Sequence, residues 1–141
     1  MTEKGWARMF ARVMAGILFF MAGWYKCFEL TPMAHARGGF VEPYADTWIP
    51  VFLLWALGLA IPVVELVAGA LLIVGWRTRD ALVAIGLILL VVTYGHALKE
   101  PLYSIKDHIL PRGLLMLLAL LLPASKDLLS VDSWMERRRQ T

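Results

Sequence analysis

Three ionisable side chains, Lys26, Glu65 and His96, lie inside segments of the chain that are otherwise almost entirely apolar. A charged group inside a bilayer costs about 2.5–3.5 kcal/mol on insertion scales, so such a group commonly belongs to a functional site. A lone carboxylate at Glu65 would be protonated or paired. It could carry a proton or bind a ligand, but a structural hydrogen bond to a neighbouring helix explains the residue equally well.

The depths of these residues in the membrane indicate a shared cavity. At about 1.5 Å per helical residue, Glu65 lies about 15 Å from one surface, and His96 and Lys26 lie about 22 and 25 Å from it. Glu29 follows Lys26 by three residues and could pair with it on the same helix face. Arg112 opens the last apolar run, where it either holds an anionic group or, as we favour, anchors the helix. We predict a polar cavity that opens at the outer face and is lined by Lys26, Glu29, Glu65, His96 and Arg112.

No sequence pattern indicates a metal or a covalently held electron carrier. Cys27 is the only cysteine, which excludes an internal disulfide and a CxxC redox pair. A flavin motif, a pair of haem-ligating histidines and cluster cysteines are all missing from the sequence. Side chains that can bind metals occur at Glu29, Glu65, His96, Asp107 and His108. Their spacing does not match a metal-binding motif such as HxxxH or HExxH. We predict no metal site.

Helices that cross a membrane must position these residues. The chain has 141 residues, of which 60% are hydrophobic, and its mean hydropathy is +0.66. Soluble domains are about 45–50% apolar, and a chain this short cannot bury the excess in its own core. The apolar runs show no two-residue alternation, which disfavours membrane strands. We predict an all-α membrane protein of one domain, a four-transmembrane-helix bundle with helices at about residues 9–28, 49–75, 81–98 and 108–123.

The distribution of positive charge predicts the orientation of the bundle. The net charge is +3, but the basic residues lie at the ends of the chain and between apolar runs rather than in a patch that would bind nucleic acid. One side carries most of them, which places both termini in the cytoplasm. We expect the membrane to be a bacterial inner membrane. Residues 29–48 and 99–108 then form outer loops. Residues 125–139 combine apolar side chains with three arginines, which predicts a short interfacial C-terminal helix.

Several short motifs in this chain resemble the DoxX family of small membrane proteins. The likeness extends over nearly the whole chain, whereas DHILPRG at residues 107–113 departs from the Asn- and Trp-rich entry to the fourth helix of many members. The matching motifs are RVMAG at 12–16, GWYK at 23–26, VELVAG at 64–69, VGWRTR at 74–79, GH at 95–96 and LSVD at 129–132.

The resemblance implies a four-helix bundle and a role beside other proteins. Characterised relatives act as membrane subunits of redox systems, including thiosulfate–quinone oxidoreductase, and others serve in the maturation of partner proteins. We therefore expect an accessory membrane subunit of a redox or quinone-linked complex, more a non-catalytic subunit than an independent enzyme. The cofactor that we expect is a quinone bound noncovalently. The expected partners are the lipid bilayer and other subunits of the complex, and the protein could also form a homo-oligomer. The alternative is a membrane scaffold or maturation factor without catalysis.

Overall fold

The computed structural model describes residues 2–100 and 109–139, and within these residues the chain is helical and contains no strand. The predicted all-α fold class is confirmed. The described residues form six α-helices: α1 (Glu3–Trp24), α2 (Pro32–Ala36), α3 (Val51–Val74), α4 (Thr78–Lys99), α5 (Ile109–Leu121) and α6 (Val131–Arg139). Two π-helical turns, Tyr25–Glu29 and Arg37–Val41, continue α1 and α2.

Within the described part of the chain, three helical segments are long and apolar enough to cross a membrane. They are Glu3–Glu29, Val51–Val74 and Thr78–Lys99. Helix α5 has 13 residues, which at 1.5 Å per residue spans about 20 Å of a bilayer core of about 30 Å. The predicted start of this helix at His108 lies outside the described residues.

The segment predicted as an outer loop at residues 29–48 contains much more helix than its prolines and glycines suggested. Pro32 occupies the first turn of α2, where a missing N–H costs nothing, and the Thr31 hydroxyl accepts a hydrogen bond from the Ala34 N–H at 3.3 Å. The second π-helical turn then carries Gly38 and Gly39. Packing of this segment against α3 outweighs the low helix propensity of glycine, which amounts to only about 1 kcal/mol per residue.

Glycines allow α1 and α3 to pack with their backbones in contact. A Cβ atom at Gly16 would lie 2.9 Å from the Ile73 nitrogen, which is closer than real Cβ contacts. A Cβ atom at Gly23 or at Gly69 would collide with the backbone of the opposite helix. This close approach brings the end of the first span beside the middle of α3, where Glu65 lies.

The C-terminal segment of the chain is fastened to the end of the bundle opposite the segment at residues 29–48. Helix α3 ends at Gly75, which adopts a left-handed conformation with φ of 77°. The N–H groups of Arg77 and Thr78, at the start of α4, donate to the Asp132 carboxylate at 2.8 and 2.9 Å. Asp132 therefore caps α4 from a distant part of the sequence.

Arg8 and Arg12, two of the basic residues near the N-terminus, are buried between the helices. The Arg12 guanidinium lies 2.8 Å from the Asp127 carboxylate and also donates to the carbonyl oxygens of Leu72 and Ile73. Arg8 donates to the carbonyl oxygen of Ala119 at 2.5 Å. These carbonyls belong to the last turns of α3 and α5, where no helical N–H can reach them, so the arginines replace the missing donors.

Candidate functional site

Lys26 and Glu65 form an ion pair within the helix bundle. The Lys26 Nζ lies 2.7 Å from Glu65 Oε2, and the two side chains are 24% and 5% exposed. Their positions follow from the crossing of α1 and α3, because Lys26 lies in the π-helical turn that continues α1. The pair neutralises two charges that would each be costly alone at this depth.

The predicted pairing of Lys26 with Glu29 is not the one that the structure shows. Glu29 is exposed and lies away from the cavity wall. Side chains three residues apart face each other in an α-helix, but Lys26 and Glu29 belong to a π-helical turn, which is wider. The wider turn rotates Glu29 away from Lys26 and leaves the lysine directed toward α3.

The ion pair lies in the wall of a cavity of about 740 Å³ between α1, α3, α4, α5 and the segment at residues 29–48. The structure brings four of the five predicted residues to this wall: Lys26, Glu65, His96 and Arg112. The cavity is less polar than predicted, because most of its wall consists of aliphatic and aromatic side chains. These include Phe19, Phe40, Trp48, Leu53, Leu54, Leu57, Ile61, Ile88 and Leu89.

His35 is a further polar group on this wall, and sequence analysis did not identify it. Its Nδ1 lies 2.8 Å from the Gly58 carbonyl oxygen. That carbonyl lacks its usual helical donor because Pro62, four residues later, has no N–H. A proline within a membrane helix frees such a carbonyl and calls for a donor from elsewhere, and this was the signal in the sequence that could have pointed to His35.

Burial lowers the pKa of His35, which keeps its imidazole neutral. Its hydrogen bond to Gly58 opposes this shift, and the charges of Lys26 and Glu65 act on the ring in opposite directions and more weakly. The Gly58 carbonyl can only accept a hydrogen bond, so the proton of the neutral ring lies on Nδ1. The remaining ring nitrogen, Nε2, is then an acceptor.

Tyr44 adds a hydroxyl group to the cavity wall from the end of the same segment. A Cβ atom at Gly95 would lie 3.0 Å from the Tyr44 hydroxyl oxygen, so the glycine before His96 provides the space for the tyrosine. Burial raises the pKa of Tyr44, and its phenol is therefore protonated at neutral pH. The Lys99 Nζ lies 5.7 Å from the centre of the Tyr44 ring.

Arg112 enters the wall from the first turn of α5. Its guanidinium lies 5.8 Å from the centre of the Phe19 ring, a distance at which a cation–π contact stabilises the pair. This contact between α5 and α1 agrees with an anchoring role for the arginine. Asp107 and His108, which precede Arg112 in the sequence, lie outside the described residues.

The arrangement suits a lipophilic molecule with a polar head group. Aliphatic and aromatic side chains provide a large apolar surface, while Lys26 can donate a hydrogen bond and His35 can accept one. No group of three His, Cys, Asp or Glu side chains that could hold a metal ion occurs within residues 2–100 and 109–139.

Comparison with known proteins finds one family. The sequence profile of the DoxX family matches residues 7–97, which is more than half of the chain and includes Arg12, Lys26, Glu65 and His96. Neither the curated proteins nor the solved structures contain a match to this chain.

Proposed function

This chain belongs to the DoxX family of membrane proteins, and from that premise we propose that it is an accessory subunit of a redox or quinone-linked membrane complex. In this proposal the protein binds a quinone noncovalently in its cavity and transfers no electrons itself. It resides in the bacterial inner membrane with both termini in the cytoplasm, and the cavity opens toward the outer side. Its partners are the other subunits of the complex.

The observation that carries the proposal is the Lys26–Glu65 ion pair in the wall of a mostly apolar cavity. The volume of about 740 Å³ lies within the range of about 300–1,000 Å³ that is typical of small-molecule sites. A quinone combines an apolar ring and tail with carbonyl oxygens that accept hydrogen bonds. The Lys26 ammonium retains donors beyond the one directed at Glu65, and one of these can bind such a carbonyl.

Glu65 holds the Lys26 side chain in position through its carboxylate. Because the pair is neutral as a whole, an uncharged ligand can approach it without placing an uncompensated charge in the membrane. His96 lies on the α4 side of the same cavity, where it contributes a second polar contact or organises water near the head group.

The experiment is to purify the protein from native membranes, extract bound lipids, and measure quinones and co-purifying proteins by mass spectrometry. The informative variant is the double substitution Lys26→Met/Glu65→Leu, because it removes both charges together and leaves no unpaired charge in the bundle. Lys4→Met is the matched control, since Lys4 is exposed near the N-terminus. We expect quinone and a redox partner with the wild type and the control, and at least about a tenfold lower quinone content with the double variant.

Two results would contradict the proposal. If the wild type repeatedly purifies without quinone and without a redox partner, the protein is not a quinone-linked subunit. If the double variant retains the full quinone content, the cavity is not the binding site. A double variant that still assembles normally with a non-redox partner would support the scaffold or maturation function instead.

A further inference from the structure

His35 presents a hydrogen-bond acceptor to the cavity. Its Nδ1 is engaged with the Gly58 carbonyl, and among the described residues no partner is found for Nε2. Both His35 and Gly39 lie on the cavity wall, and a Cβ atom built on Gly39 would lie 3.8 Å from Nε2. The acceptor nitrogen therefore lies next to a residue without a side chain, on the same wall as Lys26.

The direction of this hydrogen bond is determined by the backbone. Pro62 removes the normal donor for the Gly58 carbonyl, so His35 must keep its proton on Nδ1 to satisfy that oxygen. Helix α2 is held against α3 at this point, because a Cβ atom at Gly58 would lie 2.5 Å from the Ala36 Cα. The ring cannot exchange the roles of its two nitrogens without leaving a buried carbonyl unpaired.

We propose that the cavity selects the reduced, hydroxyl-bearing form of a quinone-type ligand over the oxidised dione. The inference rests on the proposed function, since it concerns the redox state of the ligand in the same cavity. A hydroquinone hydroxyl donates to His35 Nε2, while an oxygen of the head group accepts from Lys26. A dione has only acceptor oxygens, so it can bind Lys26 but leaves the His35 acceptor unmatched.

Loss of one hydrogen bond between a ligand and its site commonly changes an affinity by about tenfold. We therefore expect the reduced form to bind about tenfold more tightly than the oxidised form. For a two-electron couple, a tenfold preference raises the midpoint potential of the bound quinone by about 30 mV. A subunit with this property would retain hydroquinone at the complex rather than release it to the membrane.

The test measures the binding of decylubiquinol and decylubiquinone to the purified full-length protein in detergent, under anaerobic conditions, by equilibrium dialysis. His35→Asn is the first variant, because its amide can still donate to the Gly58 carbonyl from the position of Nδ1 but has no atom in place of Nε2. It should bind both forms with similar affinity, close to that of decylubiquinone for the wild type.

A matched pair of glycine variants tests the same acceptor without changing the histidine. Gly39→Ala places a methyl group in ordinary contact with His35 Nε2, 3.8 Å away, and should reduce the preference for decylubiquinol. Gly38→Ala is the control, because a Cβ atom there meets nothing within 4 Å and Gly38 does not line the cavity. This variant should retain the preference of the wild type.

The outcomes separate the inference from the proposed function. Binding of both forms with equal affinity, or a preference for decylubiquinone, would overturn the inference and leave the quinone site intact. A preference for decylubiquinol that persists in His35→Asn and in Gly39→Ala would also overturn it, because another group would then be the acceptor. If neither form binds the wild type, the proposed function itself fails.

Discussion

Removal of the Asp127 carboxylate should weaken the attachment of the C-terminal segment to the helix bundle. In the wild type this carboxylate lies 2.8 Å from the Arg12 guanidinium, and both side chains are 1% exposed. Asp127→Asn removes the negative charge but keeps the size of the side chain. The hydroxyl groups of Ser130 and Ser133 donate to the backbone carbonyl oxygen of Asp127, and the substitution leaves these hydrogen bonds in place.

The magnitude follows from the burial of the arginine. Loss of one partner of a buried ion pair costs about 3–5 kcal/mol, because the remaining charge is left without compensation. Arg12 keeps its hydrogen bonds to the Leu72 and Ile73 carbonyls, and an asparagine oxygen can still accept from it. We therefore expect the lower end of the range, about 3 kcal/mol of unfolding free energy.

The assay is denaturant unfolding in detergent, combined with hydrogen exchange of the amides in residues 124–139. Asp80→Asn is the matched control, because it makes the same chemical change in the exposed pair of Arg77 and Asp80, whose side chains are 67% and 62% exposed. That pair should contribute only about 0–1 kcal/mol. A double-mutant cycle of Asp127→Asn with Arg12→Met then isolates the coupling between the buried partners. If Asp127→Asn costs no more than Asp80→Asn, or if the two buried substitutions are additive, the reasoning is refuted.

Three further predictions concern other parts of the molecule. Gly23→Ala should lower the free energy of unfolding by about 1–3 kcal/mol, because the added methyl group collides with the backbone of α3, and denaturant unfolding that matches the wild type would contradict this. Asp132→Ala should cost about 0.5–2 kcal/mol and speed hydrogen exchange of the Arg77 and Thr78 amides at the start of α4, which it caps. Burial lowers the pKa of His35 from its ordinary 6.5, so His35 binds a proton more readily when α2 is detached from α3 than when it is packed against it. The contact of α2 with α3 should thus be fully stable above about pH 6.5 and weaken as the pH falls below it. The charges of Lys26 and Glu65 act on His35 in opposite directions and do not change this expectation. Hydrogen exchange in α2 that does not depend on pH would refute the prediction.

Several elements of the candidate site could be identified from residue type alone. Lys26, Glu65 and His96 stand out because a charged or polar side chain within an apolar span is costly and therefore uncommon. Their depths could be estimated because the rise of a helix is fixed at about 1.5 Å per residue, which places Lys26 and His96 at a similar depth and Glu65 one to two turns deeper. The residue that Lys26 contacts could not be predicted, since it depends on the π-helical turn that directs Lys26 toward α3 rather than toward Glu29.

The apolar runs are enough to predict a helical protein suited to a membrane. In lipid, a run of about 20 apolar residues can bury its side chains and pair its backbone N–H and C=O groups only as a helix. Which side chains contact one another depends on the tertiary structure. Arg12 and Asp127 are 115 positions apart, and His35 reaches Gly58 across 23. No periodicity encodes such contacts, because they depend on the rotation and crossing of whole helices. Glycines at the α1–α3 interface and the proline in α3 set those positions, and each of these residues acquires its role only when the opposite helix is in place.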